Sequence, residues 1–260
     1  MAISEFEKLV DIMKRLRREC PWDRAQTPQS LRQYILEEAY ETVDAIDNED
    51  WQELSKELGD LLLQIIFQAE IGEENETFSL KDVIRNINEK MIRRHPHVFG
   101  DVEVKDAAEV KENWENIKFD QENRRSLMEG IPRQMSALLR AQRIQDKASQ
   151  VGFDWNDGFQ VLKKVHEELK ELEESLNDGK ADHIEEEMGD LLFSLVNFCR
   201  FQKIQAEDAL RRTTNKFLSR FRFIEAELEQ KNISLRNASL KEMDALWNKA
   251  KEREKQPRGC

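Results

Sequence analysis

One pattern of acidic residues occurs twice in this 260-residue chain, and it restricts what the chain can fold into. Glu37-Glu38-Ala39-Tyr40-Glu41 is followed after fifteen residues by Glu57-Leu58-Gly59-Asp60. Glu167-Glu168-Leu169-Lys170-Glu171 is followed after the same fifteen by Glu187-Met188-Gly189-Asp190. The offset is 130 at all five acidic positions. Further on, Lys90 and Arg94 match Lys216 and Arg220 at an offset of 126, and Trp114 and Lys118 match Trp247 and Lys251 at 133. Order and approximate spacing thus survive along most of each half, as expected of an ancestral duplication. Two domains follow, residues 1–125 and 126–260. The boundary falls in the polar run that ends at Gly130-Ile131-Pro132.

Only 9 Gly and 5 Pro are present, too few for the turns of a many-stranded sandwich or barrel. The apolar periodicity instead predicts an all-α chain of duplicated helical bundles. Helices are expected at residues 30–47, 51–72, 80–95 and 108–122, then at 133–150, 159–177, 181–205, 206–231 and 240–255. In the stretch 191–198 only Ser194 and Asn197 are polar. A helix apolar on so many sides needs covering on most of them. One half of this size is too small to do so, which predicts packing across a subunit interface and at least a homodimer. The longest apolar run, 61–67, is far short of the ~20 residues that span a bilayer. No basic-then-apolar leader is visible at the start. Three widely spaced cysteines, Cys20, Cys199 and Cys260, point to a reducing compartment, and a cytoplasmic location is expected. A net charge of −12 argues against nucleic acid or anionic membrane as a partner.

Residues three or four apart share a helix face. Glu38 and Glu41 therefore point one way, as do Glu57 and Asp60, and the same holds for Glu168 with Glu171 and Glu187 with Asp190. Four carboxylates on two facing helices repel each other and call for a cation. Ligands that are all oxygen suit Mg²⁺, with Mn²⁺ as a substitute, rather than Zn²⁺. Glutamate-rich helix surfaces are commonly just solvated, but Asp60 and Asp190 each precede an apolar run and so stand at the edge of a core, where a charge needs a partner. A di-iron bundle would require Glu-x-x-His, and none of the four histidines has an acidic residue three positions before it. Neither Gly-x-Gly-x-x-Gly nor Gly-Lys-Ser/Thr occurs.

The string Glu-Glu-x-x-Glu, fifteen residues, Glu-x-x-Asp resembles the signature of the MazG nucleoside triphosphate pyrophosphohydrolases, of the all-α NTP pyrophosphatase group. Cys20-Pro21-Trp22-Asp23 with Gln26-Thr27, the stretch Arg93–Phe99, Val151-Gly152-Phe153-Asp154-Trp155 and the stretch Lys216–Arg220 fit the family at corresponding places. The resemblance covers about residues 5–255 and includes the two-domain plan. It implies Mg²⁺-dependent hydrolysis of an NTP or dNTP to the monophosphate and pyrophosphate, by a helical dimer in nucleotide-pool housekeeping. On that footing Glu168, Glu171, Glu187 and Asp190 hold metal, with Glu38, Glu41, Glu57 and Asp60 as the first-half set. Glu167 or Glu186 orients or deprotonates the attacking water, and Glu187 belongs to the catalytic group as well. Lys216 and Arg220, four apart on one face, hold the triphosphate tail, Trp247 stacks on the base, and Lys251 lies one turn further on.

The halves differ at two aligned positions. Asn197 lies two turns after Asp190 and has Phe67 as its counterpart, and His183, one turn before Glu187, has Glu53. Residues 1–130 carry 18 Lys+Arg against 30 Asp+Glu, while residues 131–260 carry 23 of each. For a polyanionic substrate these differences favour the second half as the principal site, with Asn197 and His183 beside the substrate. The competing readings are a helical scaffold that keeps the repeat only for folding, and a nucleotide sensor without turnover. Reaction products separate them. His95-Pro96-His97 reads as a helix stop with a proline-fixed turn rather than a metal site.

Overall fold

The computed structural model describes residues 2–106, 109, 110, 113, 117 and 126–255. Among them there is no strand, and no helix is long and apolar enough to cross a membrane. The expected helix at 108–122, with Trp114 and Lys118, falls largely outside the described residues, as does Cys260. The chain divides into two compact units, residues 1–122 and 123–260.

In the first unit α1 (Ala2–Glu19), α2 (Pro21–Ala25), α3 (Pro28–Asp47), α4 (Trp51–Glu74), α5 (Leu80–Arg94) and α6 (Pro96–Phe99) follow in order. Helix α1 was not assigned from the sequence. It presents Phe6, Leu9, Val10, Met13 and Leu16 on one stripe, and these pack with Leu31, Leu63, Ile66, Phe67 and Ile71 into the core of this unit. Helix α3 begins where its chemistry allows. Thr27 Oγ1 accepts from Ser30 N, Ser30 Oγ accepts from Thr27 N, and Pro28 occupies the first turn, where no N–H is needed. Asp50 caps α4 through Gln52 N and Glu53 N. The proline after His95 both ends α5 and opens the single turn of α6, while His95 Nδ1 lies 2.6 Å from Met91 O.

The second unit holds α7 (Ala137–Gln150), α8 (Gly158–Asp178), α9 (Ala181–Phe201), α10 (Ala206–Gln230), a 3₁₀ turn (Leu235–Asn237) and α11 (Leu240–Lys255). Helix α7 starts four residues later than the periodicity predicts. Its first turn is capped from elsewhere in the chain, since Glu207 Oε2 accepts from Ser136 Oγ at 2.7 Å and from Leu139 N at 3.3 Å. Three polar side chains on α7 are buried and tie it to loops and to a neighbouring helix: Gln142 to Ile204 O and Ala206 N, Gln145 to Phe193 O, and Lys147 to Leu127 O and Glu129 O. Helices α10 and α11 close on Ile224, Leu228 and Leu246.

The repeat is visible in backbone detail. Glu49 (φ 54°) and Gly179 (φ 67°) are 130 apart in sequence and both take the left-handed conformation between the paired helices. The downstream change of offset also has a cause. Helix α9 has 21 residues against 24 for α4, and the connection after it, residues 202–205, is one residue shorter than 75–79, which together take the offset from 130 to 126. The apolar stretch of α9 is incompletely covered within one chain, because Leu192, Phe193 and Leu195 are exposed, as are Leu58, Leu62 and Ile65 on α4.

Asp157 caps α8 by accepting from Phe159 N at 2.8 Å and Gln160 N at 2.9 Å. Asp157→Ala should lower the unfolding free energy by about 1 kcal/mol, measured by chemical denaturation.

Candidate metal centre and adjoining cavity

The helix pairs α3–α4 and α8–α9 place the repeated carboxylates. Oxygens of Glu38, Glu41 and Glu57 lie within 4.8 Å of one another, and so do oxygens of Glu168, Glu171 and Glu187. The fourth member of each set stands outside these triplets. Asp60 is nonetheless close enough for its charge to act on Glu38 and Glu57, and Asp190 lines a cavity together with Glu168.

The electrostatics are those of crowded like charges. Partial burial, then the charges of Asp60, Glu41 and Glu37, hold Glu38 above the usual carboxylate range, while a hydrogen bond from Gln64 opposes this. Glu57 is raised by desolvation and by Glu41, Glu53, Asp60 and Glu38. Glu171 is raised by desolvation and then by Glu168, with Glu187 adding to it and Lys164 opposing. All-oxygen donor sets whose members resist ionisation together fit a hard divalent cation.

The second triplet has a feature that the sequence reading missed. Lys164 Nζ lies 2.7 Å from both Glu167 Oε1 and Glu168 Oε1, and Glu168 is buried. These bonds push the lysine above its ordinary value and hold Glu167 below the carboxylate range. The aligned residue in the first half is Tyr34, which packs edge-on against Trp22. A Lys four residues before a Glu was readable as a helical ion pair, but nothing in the string showed that the Glu would be buried.

A cavity of about 380 Å³ opens beside the second triplet. Glu168, Asp190, Asn197 and Lys164 line it, with Phe153, Trp155 and Phe193 supplying aromatic surface. Arg200 closes part of the wall by bonding both carboxylate oxygens of Asp154 and Asn197 Oδ1. Asn197 and Asp190, two turns apart on α9, both line this cavity. The counterpart of Asn197, Phe67, does not face the first triplet. It is buried in the core beneath the Arg17 guanidinium, 5.7 Å from its ring centroid. The larger cavity of the first unit, about 740 Å³, lies among α1, α4 and α5 and touches none of Glu38, Glu41 or Glu57.

The charge comparison between the halves needs one revision. Glu53 is ion-paired with Lys56, whose counterpart is Glu186, so the extra acid of the first half is neutralised on the spot. His183 and Glu186 are exposed on α9. The remaining basic and aromatic residues gather elsewhere. Arg220 bonds Glu254 through Nε and Nη2 and lies 5.3 Å from the Trp247 ring centroid, which in turn meets Phe217 at 5.1 Å. Lys216 and Lys251 are exposed on the same α10–α11 hairpin. That hairpin packs on α7, and none of its four sequence-chosen residues lines the cavity beside Glu168.

Comparison with known proteins fits this geometry. The MazG nucleotide pyrophosphohydrolase domain matches residues 26–99 and 157–222, spans that contain both carboxylate sets. The chain belongs to the MazG family. The nucleoside triphosphate pyrophosphohydrolase/pyrophosphatase MazG of Thermotoga maritima is 45% identical over 250 residues, with 95% of each chain covered. The nucleoside triphosphate pyrophosphohydrolase of Escherichia coli K12 is 40% identical, covering 97% of this chain and 99% of that one. A solved mazG-related protein from Thermotoga maritima aligns with 43% of this chain and 97% of its own, at 26% identity and a TM-score of 0.39. Both MazG stretches in this chain thus carry a complete acidic set, but the described cavity at a carboxylate cluster adjoins the second.

Raised carboxylates destabilise the folded chain at neutral pH, and the penalty is relieved as pH falls through their elevated values. Glu171→Gln in EDTA should therefore melt a few degrees above the parent at pH 7.5. The difference should shrink as the pH is lowered into the carboxylate range. Millimolar Mg²⁺ should raise the parent's melting temperature more than the variant's.

Proposed function

We propose that the chain hydrolyses nucleoside triphosphates between the α and β phosphates, giving a monophosphate and pyrophosphate, with Mg²⁺ and with Mn²⁺ as a substitute. The observation that carries this reading is that Glu168, one member of the carboxylate triplet, lines an aromatic-walled cavity of about 380 Å³ together with Asp190. That the chain is an enzyme of this class rests on its full-length likeness to named nucleoside triphosphate pyrophosphohydrolases.

Glu168, Glu171, Glu187 and Asp190 are the residues that would hold the metal. Mg²⁺ bound there supplies charge neutralisation for the phosphate oxygens and lowers the pKa of a water. Lys164 fixes Glu168 and Glu167 on one side of the cluster. Glu167, ion-paired with Lys164, or Glu186 orients or deprotonates the attacking water. The second half is proposed as the principal site, on the strength of its cavity, and the first as an accessory one.

The exposed apolar faces of α4 and α9 support a homodimer. Lys216, Arg220, Trp247 and Lys251 keep their phosphate- and base-holding roles in this proposal, reaching the carboxylates from a second copy of the chain. The separation of their hairpin from the cavity within one chain is what supports that arrangement. A cytoplasmic location and the absence of nucleic-acid or membrane partners complete the reading.

Four measurements test it. Incubation with each NTP and Mg²⁺ should yield monophosphate and pyrophosphate, and diphosphate with orthophosphate would contradict the bond assignment. Glu38→Gln with Glu57→Gln should cost less than about tenfold in kcat/KM, which is ~1.4 kcal/mol, whereas Glu168→Gln with Glu187→Gln should cost several orders of magnitude. Sedimentation at micromolar concentration should give a dimer, and a mixture of inactive Glu187→Gln and Arg220→Ala proteins should regain activity.

A further inference from the structure

The loop between α7 and α8, residues 151–157, supplies part of the aromatic wall of the cavity beside Glu168. Its ends are fixed locally, by the bond from Phe153 N to Ala148 O at 3.2 Å and by the Asp157 cap on α8. Between them it presents two large aromatic side chains that line the cavity, Phe153 at 82% exposure and Trp155 at 43%. Rings on a loop serve a ligand best when the loop is already held, because ordering it on binding costs affinity.

One chain of bonds holds this loop to the helix that carries Glu187 and Asp190. Arg200 on α9 donates from Nε to Asn197 Oδ1 at 2.9 Å, and from Nη1 and Nη2 to the two carboxylate oxygens of Asp154. Asp154 Oδ1 also accepts from Trp155 N at 2.8 Å. A single carboxylate thus fixes the guanidinium and the Trp155 backbone together. The Arg200 side chain is only 10% exposed, so this bidentate pair is shielded from water. Asn197, at the other end of the strut, shares the cavity wall with Asp190.

The first unit is wired differently. The position matching Arg200 at an offset of 130 is Glu70, which lies near the charges of Lys14 and Arg17 on α1. There the loop before α3 is held from α1, where Arg17 Nη1 bonds the carbonyls of Asp23 and Gln26. Among the described residues, a guanidinium on the carboxylate-bearing helix that reaches directly to the aromatic loop belongs to the second unit.

We infer that Arg200 is a positioning residue of the second-half site: through Asp154 it sets Trp155 and Phe153 as a fixed wall for the nucleoside end of the substrate. This rests on the pyrophosphohydrolase reading above. Aromatic rings take a nucleoside by stacking, and they do so whichever base is present. Neither Arg200 nor Asp154 belongs to the carboxylate triplet, so losing the strut weakens nucleoside binding and spares the bond-breaking step.

The test is a double-mutant cycle on the full chain with Mg²⁺ and whichever of ATP, GTP, CTP and UTP is hydrolysed fastest. Arg200→Ala and Trp155→Ala should each raise KM by about tenfold or more while kcat stays within about threefold of the parent. The double variant should have a KM within about twofold of the worse single one, because the arginine acts through the tryptophan. A merely structural role gives a different pattern. Lost folded material lowers kcat and leaves KM alone, and Trp155→Ala then keeps its full effect in the Arg200→Ala background. Either result overturns the inference. Should Arg200→Ala fail to fold, Asp154→Asn, which breaks the ion pair at nearly constant shape, takes its place in the cycle. If no triphosphate is turned over, the cycle is read as Kd values for the α,β-methylene analogues of the same four nucleotides, by calorimetry with Mg²⁺. Non-additive losses then sink the hydrolytic reading alone. Additive losses, or no measurable binding, sink the positioning role as well.

Discussion

Mutual repulsion among carboxylates is the constraint around which this chain is organised. Two antiparallel helix pairs each hold three acidic side chains with oxygens within 4.8 Å of one another, at positions where partial burial makes ionisation harder still. Left alone, such a cluster pushes its helices apart. The rest of each unit pulls them together: in the first, a core built by α1 against α3 and α4, and in the second, α7 with its buried glutamines and lysine tied to backbone carbonyls. The packing thus holds a charge arrangement that a divalent cation relieves.

The two units handle this strain differently. In the second, Lys164 supplies a cation within the cluster and lies on the wall of a cavity. In the first, the equivalent place is taken by Tyr34, Gln64 bonds Glu38, and the position matching Asn197 is a core phenylalanine. A duplicated scaffold has kept its acidic residues in both copies while the surroundings diverged, so identical motifs face unlike environments. This is why function is argued from the site rather than from the motif alone.

Much of this was legible in the string. The acidic spacing shows which residues share a face, and periodicity with cap chemistry places α3, α4, α5, α8, α9, α10 and α11 to within a few residues, α9 excepted, which stops four residues early at Phe201. Helix α1 was equally legible, since Phe6, Leu9, Val10, Met13 and Leu16 recur at helical spacing, yet it was not assigned. Gln145 and Arg200 were also missed as wall residues. Their roles come from contacts 46 and 48 positions apart, and no local pattern reports such separations. The α10–α11 hairpin was read correctly as helical, yet its distance from the cavity within one chain is a tertiary fact that spacing does not encode.

The connections between the paired helices are short: Asn48–Asp50 in one unit and Gly179–Lys180 in the other, each turning through a left-handed residue. With so little slack, the turn acts as the gear that meshes one helix with the other. Adding or removing a single residue there would rotate the following helix by about 100° relative to its mate and carry Glu57 or Glu187 off the shared face. Insertions and deletions in this lineage should therefore collect at the far ends of these helices, where α4 and α9 already differ in length by three residues, and be purged from the turns.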